Sequence, residues 1–320
     1  MFNIVEKRRL FAIISAFLIV PGLMIMAYSL ATTGSLFRLS IDFTGGSIYD
    51  LTFTGPGANE ENIRDVFAGV GDENVIIQHL GLEDSNRWSV RGTYQESVVV
   101  ETILSGLGQI APIDRDSFQQ QSVSAIIGQE VSRTALLATI ATAFVVTAFI
   151  ALAFRQVPNA FRYGLSAIAA MVHDILVVMS VASLTSLLFG WEVDALFLTA
   201  VLTVVGFSVQ DTIVIFDRIR ENIPLHLGEP YETIVNRSVW ESIHRSLATQ
   251  LNAFFIMIAL LLFGGETIRQ FIFIMFAGLM TGSYSSLFTA VPLLVAWEKG
   301  EIPFTGPWRE RREALEEAVA

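Results

Sequence analysis

Cysteine is absent from the 320 residues, which excludes both a disulfide framework and a thiolate metal site. Histidine is scarce, and His79, His173, His226 and His244 lack ligand spacing, so no metal and no other cofactor is expected. Charge is scarce too, at 16% of residues against 52% hydrophobic, and the mean hydropathy of +0.56 lies above that of a soluble globular domain. The formal charge of -11 leaves too few clustered basic side chains for a nucleic-acid surface.

What the chain has instead is apolar runs. Segments near 10–30, 135–154, 163–189, 195–216, 246–263 and 269–296 are each long enough for a hydrocarbon core of about 30 Å. The first follows Lys7, Arg8 and Arg9. It has the length of a span rather than of a signal's apolar region, and no clear cleavage site follows, so it reads as a retained helix. Basic residues recur on alternate connections: Arg155 and Arg162; Arg218, Arg220, Arg237 and Arg245; then Lys299, Arg309, Arg311 and Arg312. By the positive-inside rule both termini are expected in the cytoplasm. The expected organisation is a cytoplasmic N-terminus at 1–9, a first span at 10–30, a periplasmic domain at 31–133, five further spans within 134–296 and a cytoplasmic tail at 297–320.

The long outside segment is large enough for its own small core. Alternation over 47–53 predicts a strand, and Ile63, Val66, Phe67 and Val70 mark one face of a helix over 59–70. Strands follow at 75–80 and 87–94, separated by a turn-rich 81–86, then a helix at 96–110 and a strand at 117–123. The expected fold is therefore all-α in the membrane, with one α+β ferredoxin-like domain of order βαββαβ outside it.

Ionisable residues inside spans are costly and mark function by default. His173 and Asp174 fall near the midplane of the third span, and Asp211 about 9 Å from the cytoplasmic end of the fourth. Arg245 opens the fifth span at similar depth, so Asp211 and Arg245 are expected to pair, either as a proton switch or as a static ion pair fixing helix register. Gln210, Thr212 and Ser208 suit interhelical hydrogen bonds, and His173 with Asp174 is either a satisfied polar cluster or a proton relay. Gly278, Gly282 and Ser285 in the sixth span read as close-packing positions.

These words resemble the SecD/SecF family. Residues 206–221, GFSVQDTIVIFDRIRE, resemble the fourth-span signature of its SecF members, with Asp211 at the acidic position tied to proton coupling. Residues 41–46, IDFTGG, resemble the motif after the first span. His173-Asp174, Asn236-Arg237-Ser238 with Arg245-Ser246, Gly264-Gly265, and 282–286 match further words along nearly the whole chain. The resemblance implies an RND-transporter-like fold and a place in Sec protein export. It also implies a SecD partner, a SecYEG channel, SecA acting indirectly, YajC, exported unfolded polypeptide, and protons carried through Asp211, Arg245 and Asp174. The segment holding Asp42, Phe43, Gly45 and Gly46 would couple the outside domain to the first span. Gln210 stands where the family usually has Asn, which keeps an amide but adds a methylene.

Two other functions compete with proton-driven transport. A passive assembly factor would use the same polar residues for packing alone. An intramembrane aspartyl protease would need Asp174 and Asp211 as a dyad, but their depths differ, and a nearby arginine opposes a shared proton. No catalytic residue is assigned and no enzyme activity is expected.

Overall fold

The computed structural model describes residues 3–80, 86–155 and 160–301. The expected turn at 81–86, apart from Asn86, and the charged tail with Arg309, Arg311 and Arg312 lie outside the described residues. In chain order the elements are α1 (Arg8–Thr33), α2 (Ile41–Thr44), β1 (Gly46–Thr52), α3 (Glu60–Gly69), β2 (Ile76–Leu80), β3 (Arg87–Gly92), α4 (Ser97–Ile110) and β4 (Gln119–Val123). There follow α5 (Ala125–Ala153), α6 (Ala160–Phe189), α7 (Ala195–Leu225), α8 (Tyr231–Phe263), α9 (Glu266–Ser285), a π-helical turn (Ser286–Ala290) and α10 (Val291–Glu298). Two compact units emerge, residues 39–137 and the remainder.

Among the described residues, six helical segments are long and apolar enough to cross a membrane: α1, α5, α6, α7, α8 and the run through α9, the π turn and α10; all lie in the larger unit except the start of α5, up to residue 137. Lipid gives helices no hydrophobic reason to associate, so small residues that admit close contact carry the packing. A Cβ on Gly22 of α1 would sit 1.9 Å from Ser180 Oγ on α6, and one on Gly278 of α9 would sit 2.3 Å from Val204 on α7. Around these contacts lies a buried core that includes Phe11, Ile150, Tyr163, Phe216, Val239 and Leu294. The sixth span is not one regular helix. Pro292 has no N–H to give the carbonyl one turn back, and the ladder slips into the π turn just before it. That slip directly follows Ser285.

In the smaller unit the sheet order is β2-β3-β1-β4, with every pair antiparallel. Alternation in β1 sends Tyr49 and Leu51, followed by Phe53, into a core with Ile63 and Phe67 of α3 and Ile103 and Leu107 of α4. Asn59 caps α3 by accepting from Asn62 N at 2.8 Å. Asp72, 3% exposed, accepts from Thr93 N at 2.7 Å and Thr93 Oγ1 at 2.9 Å, pinning the end of β3. The last strand starts at Gln119 rather than 117, because Ser117 closes a turn onto the Asp114 carbonyl.

A short helix that the sequence pattern did not suggest, α2, precedes β1. Ser40 caps it through Asp42 N at 3.0 Å. Its end demands two glycines. Gly45 has φ +74° and a Cβ there would lie 2.7 Å from Ala125 Cα, while Gly46 has φ +133° and a Cβ would meet the Gly92 carbonyl oxygen at 2.8 Å. Asp42 and Phe43 are half-buried beside them, and the Phe43 carbonyl accepts from Ser132 Oγ at 3.1 Å.

Candidate functional site

Asp174 and Asp211 lie deep within their spans, and each has its own set of partners. Asp174 on α6 is 1% exposed. Its Oδ2 accepts from Ser208 Oγ of α7 at 2.5 Å and from Ser285 Oγ of the sixth span at 2.7 Å, and its Oδ1 lies 3.0 Å from His173 Nδ1. With the carboxylate ionised, Nδ1 carries the proton and donates it. The close approach that allows this comes from Gly282, whose absent Cβ would stand 3.4 Å from Ser208 Cα and 3.7 Å from Asp174 Oδ2. His173 stacks on Tyr284 with centroids 6.1 Å apart, and Tyr284 Oη donates to the Phe11 carbonyl at 3.1 Å. Asp174 therefore ties α6, α7 and the sixth span together, with α1 reached through the rings.

Asp211 on α7 is half-buried, and its Oδ2 accepts from Gln250 Nε2 of α8. This corrects the expected pairing with Arg245. Among the described residues no ion pair joins Asp211 to Arg245. The reason is the register of the antiparallel α7 and α8. Asn222 bonds Ser238 at 2.9 Å and Arg218 bonds Glu241 at 2.7 Å, so each step deeper along α7 is matched by a step deeper along α8. That register places Asp211 opposite Gln250, five residues and about 7.5 Å beyond Arg245. Arg245 instead lines a polar cleft of about 380 Å³ with Asp217, Arg218, Glu221, Glu241 and Ser242. Sequence reasoning passed over Gln250, although an amide in an otherwise apolar span was the available signal.

The supporting residues divide. Thr212, 1% exposed, donates to its own helix at the Ser208 carbonyl, 3.0 Å away. Gln210 is exposed on the surface of the unit. Ser285, read from the sequence as a packing residue, is a donor to Asp174 as well. Asp174 and Asp211 share no hydrogen bond among the described residues, so they do not form the dyad a protease would need. None of the described His, Asp and Glu side chains groups into a metal site.

Six spans among the described residues, with ionisable groups held by side-chain donors along them, define a multi-pass membrane protein with polar chemistry at membrane depth. The family profile described as protein export membrane protein SecD/SecF, C-terminal, matches residues 103–300, and that of the SecD/SecF GG motif matches 37–56, the α2 and Gly45-Gly46 region. The chain belongs to the SecD/SecF family. It is 42% identical over 306 residues to protein translocase subunit SecF of Anaerolinea thermophila, covering 94% of this chain and 96% of that one. A SecF of Thermobaculum terrenum is 37% identical, covering 93% and 94%. The crystal structure of SecDF from Thermus thermophilus, described as a translocon-associated membrane protein, superposes with a TM-score of 0.75 at 28% identity. It covers 93% of this chain and 39% of the SecDF chain, so this chain spans about two fifths of that longer protein.

Proposed function

We propose that this chain is a SecF-like subunit of the Sec protein-export machinery that couples proton movement through the membrane to motion of the 39–137 unit, promoting translocation and release of exported polypeptide. The observation that carries this reading is Asp211, an intramembrane carboxylate held by a neutral amide with Arg245 in the neighbouring cleft. A carboxylate bonded by Gln250 can exchange its charge without breaking a locked ion pair. Protonation removes that charge from the stretch of α7 just beyond the Arg245 cleft. Gln210, Asp211, Arg245 and Thr249 leave a polar strip uncovered on α7 and α8. Such a strip does not face lipid. A SecD-like partner covering it accords with the longer SecDF chain that this one matches in part.

The rest of the reading follows that arrangement. Asp174 with His173 serves as a second proton-linked centre. The 39–137 unit is a ferredoxin-like periplasmic domain, and Asp42, Phe43, Gly45 and Gly46 transmit motion to it. The protein sits in the inner membrane with both termini cytoplasmic and works with SecYEG, with SecA upstream and YajC alongside. The test is proton-dependent export into inverted vesicles holding this chain and a SecD. Asp211→Asn is expected to abolish the proton-dependent part with the complex still assembled. An unchanged rate would favour the passive assembly role instead.

A further inference from the structure

A cavity of about 630 Å³ opens between α1, α6 and the end of the sixth span. One end carries Arg8, Arg9 and Glu301, the other the ring of His173, and between them the walls are apolar, with Ile19, Leu176 and Phe288 among them. The hydroxyls within reach are already satisfied, since Ser15 and Thr289 bond each other at 3.1 Å. From Arg9 to Ile19 is ten residues of helix, about 15 Å at 1.5 Å per residue, half of a hydrocarbon core of about 30 Å. The groove is thus one leaflet deep and charged at its outer end alone.

Two features select the occupant. An aqueous passage would need polar lining through its length, and between its mouth and His173 this one offers only the hydroxyls of Ser15 and Thr289, which bond each other. The charge balance at the mouth is uneven. Arg8 is held by Glu232 at 3.2 Å and Glu301 at 2.5 Å, and Arg162 is held by Glu298 at 2.6 Å. Arg9 is exposed and has neither hydrogen bond nor ion pair among the described residues, its charge reaching Glu301 only through space. A guanidinium presents a planar fork that matches phosphate oxygens.

We propose that this groove is a specific site for one membrane phospholipid, its phosphodiester on Arg9 and one acyl chain lying between α1, α6 and the sixth span as far as the His173 ring. His173 Nε2 is buried with no partner among the described residues, while Nδ1 is committed to Asp174. A chain in the groove ends against that ring, on the α1 side of the Asp174 cluster.

The test is native mass spectrometry of the full chain in complex with its SecD-like partner, purified in mild detergent. One phospholipid should stay bound after bulk lipid has been stripped, its mass identifying the headgroup. Arg9→Glu removes the phosphate contact, and Ala16→Trp fills the groove from α1. Each should lower the retained fraction roughly tenfold, the scale of losing one charge-assisted hydrogen bond. Leu251→Trp, on the exposed face of α8, should leave it unchanged. No retained lipid in the unaltered complex, a retained fatty acid or detergent in its place, or equal retention in Arg9→Glu would overturn the site. So would a photoreactive group at residue 16 that crosslinks to polypeptide instead of lipid. Because Arg9→Glu changes an exposed side chain, its result stands even if Ala16→Trp fails to assemble.

Discussion

Gln250 is the residue whose loss best separates a working site from a packed one. Its amide is the donor to Asp211, and a half-buried carboxylate without its donor costs about 1–3 kcal/mol. Gln250→Leu keeps the volume and removes the bond. Proton-dependent export is expected to fall roughly tenfold or more, since 1.4 kcal/mol is a factor of ten, while the yield of assembled complex stays the same. An export rate equal to the unaltered protein would show that the amide is bystander packing. Ser208 and Ser285 differ in kind from Gln250. They satisfy Asp174, a group almost sealed from solvent, so their hydroxyls belong first to the stability of the bundle.

Between elements, glycine positions decide which helices can meet. Gly278 lets α9 press on Val204 of α7, and the next turn, at Gly282, brings Ser208 and Asp174 within reach of Ser285. Gly278→Leu puts atoms where Val204 and Val178 already stand, and the assembled complex is expected to be lost or to melt many degrees lower in detergent. Gly206, four residues before Gln210 on α7, has open space around it. Gly206→Ala is therefore expected to be tolerated, with a gain of up to about 1 kcal/mol from helix propensity. Equal melting of the two variants would contradict the packing account. The π turn belongs to this scale as well, because Pro292 breaks the ladder immediately after Ser285.

Over the whole membrane unit, the start of α1, the start of α8 and the stretch just after α10 meet in a clasp. Arg8 at the start of α1 reaches Glu232 on α8 and Glu301 beyond α10, and Lys299 reaches Glu232 at 2.5 Å. The hydrogen bond from Arg8 holds the Glu301 carboxyl below its ordinary value of 4.5, aided by the charges of Arg8, Lys299 and Arg9 and opposed by burial. A carboxyl lowered in the folded state contributes stability that is complete above its unfolded value and is lost as pH falls through the folded value. The contribution is at most about 1 kcal/mol, as for other exposed pairs. Glu301→Gln should therefore melt slightly below the unaltered protein at pH 7, and the gap should close as pH drops below about 4.5. A gap that persists or widens in acid would place the effect elsewhere.

Much of this was written in the linear chain. Length and hydropathy set six spans, alternation and a 3.6-residue period set the strands and helices of the smaller unit, and the scarcity of charge made Asp174, Asp211 and Arg245 conspicuous, because lipid penalises each one. Gly45 and Gly46 were legible as a pair, though only the fold supplied the reason, a positive φ at each and backbone atoms where a Cβ would go. Pairing between helices was not legible. Sequence gives the depth of a residue along its own helix, whereas the partner across a contact depends on the rotation and register of two helices at once. That is why Asp211 meets Gln250 instead of Arg245, and why Ser208 and Ser285, far apart in the chain, converge on one oxygen of Asp174.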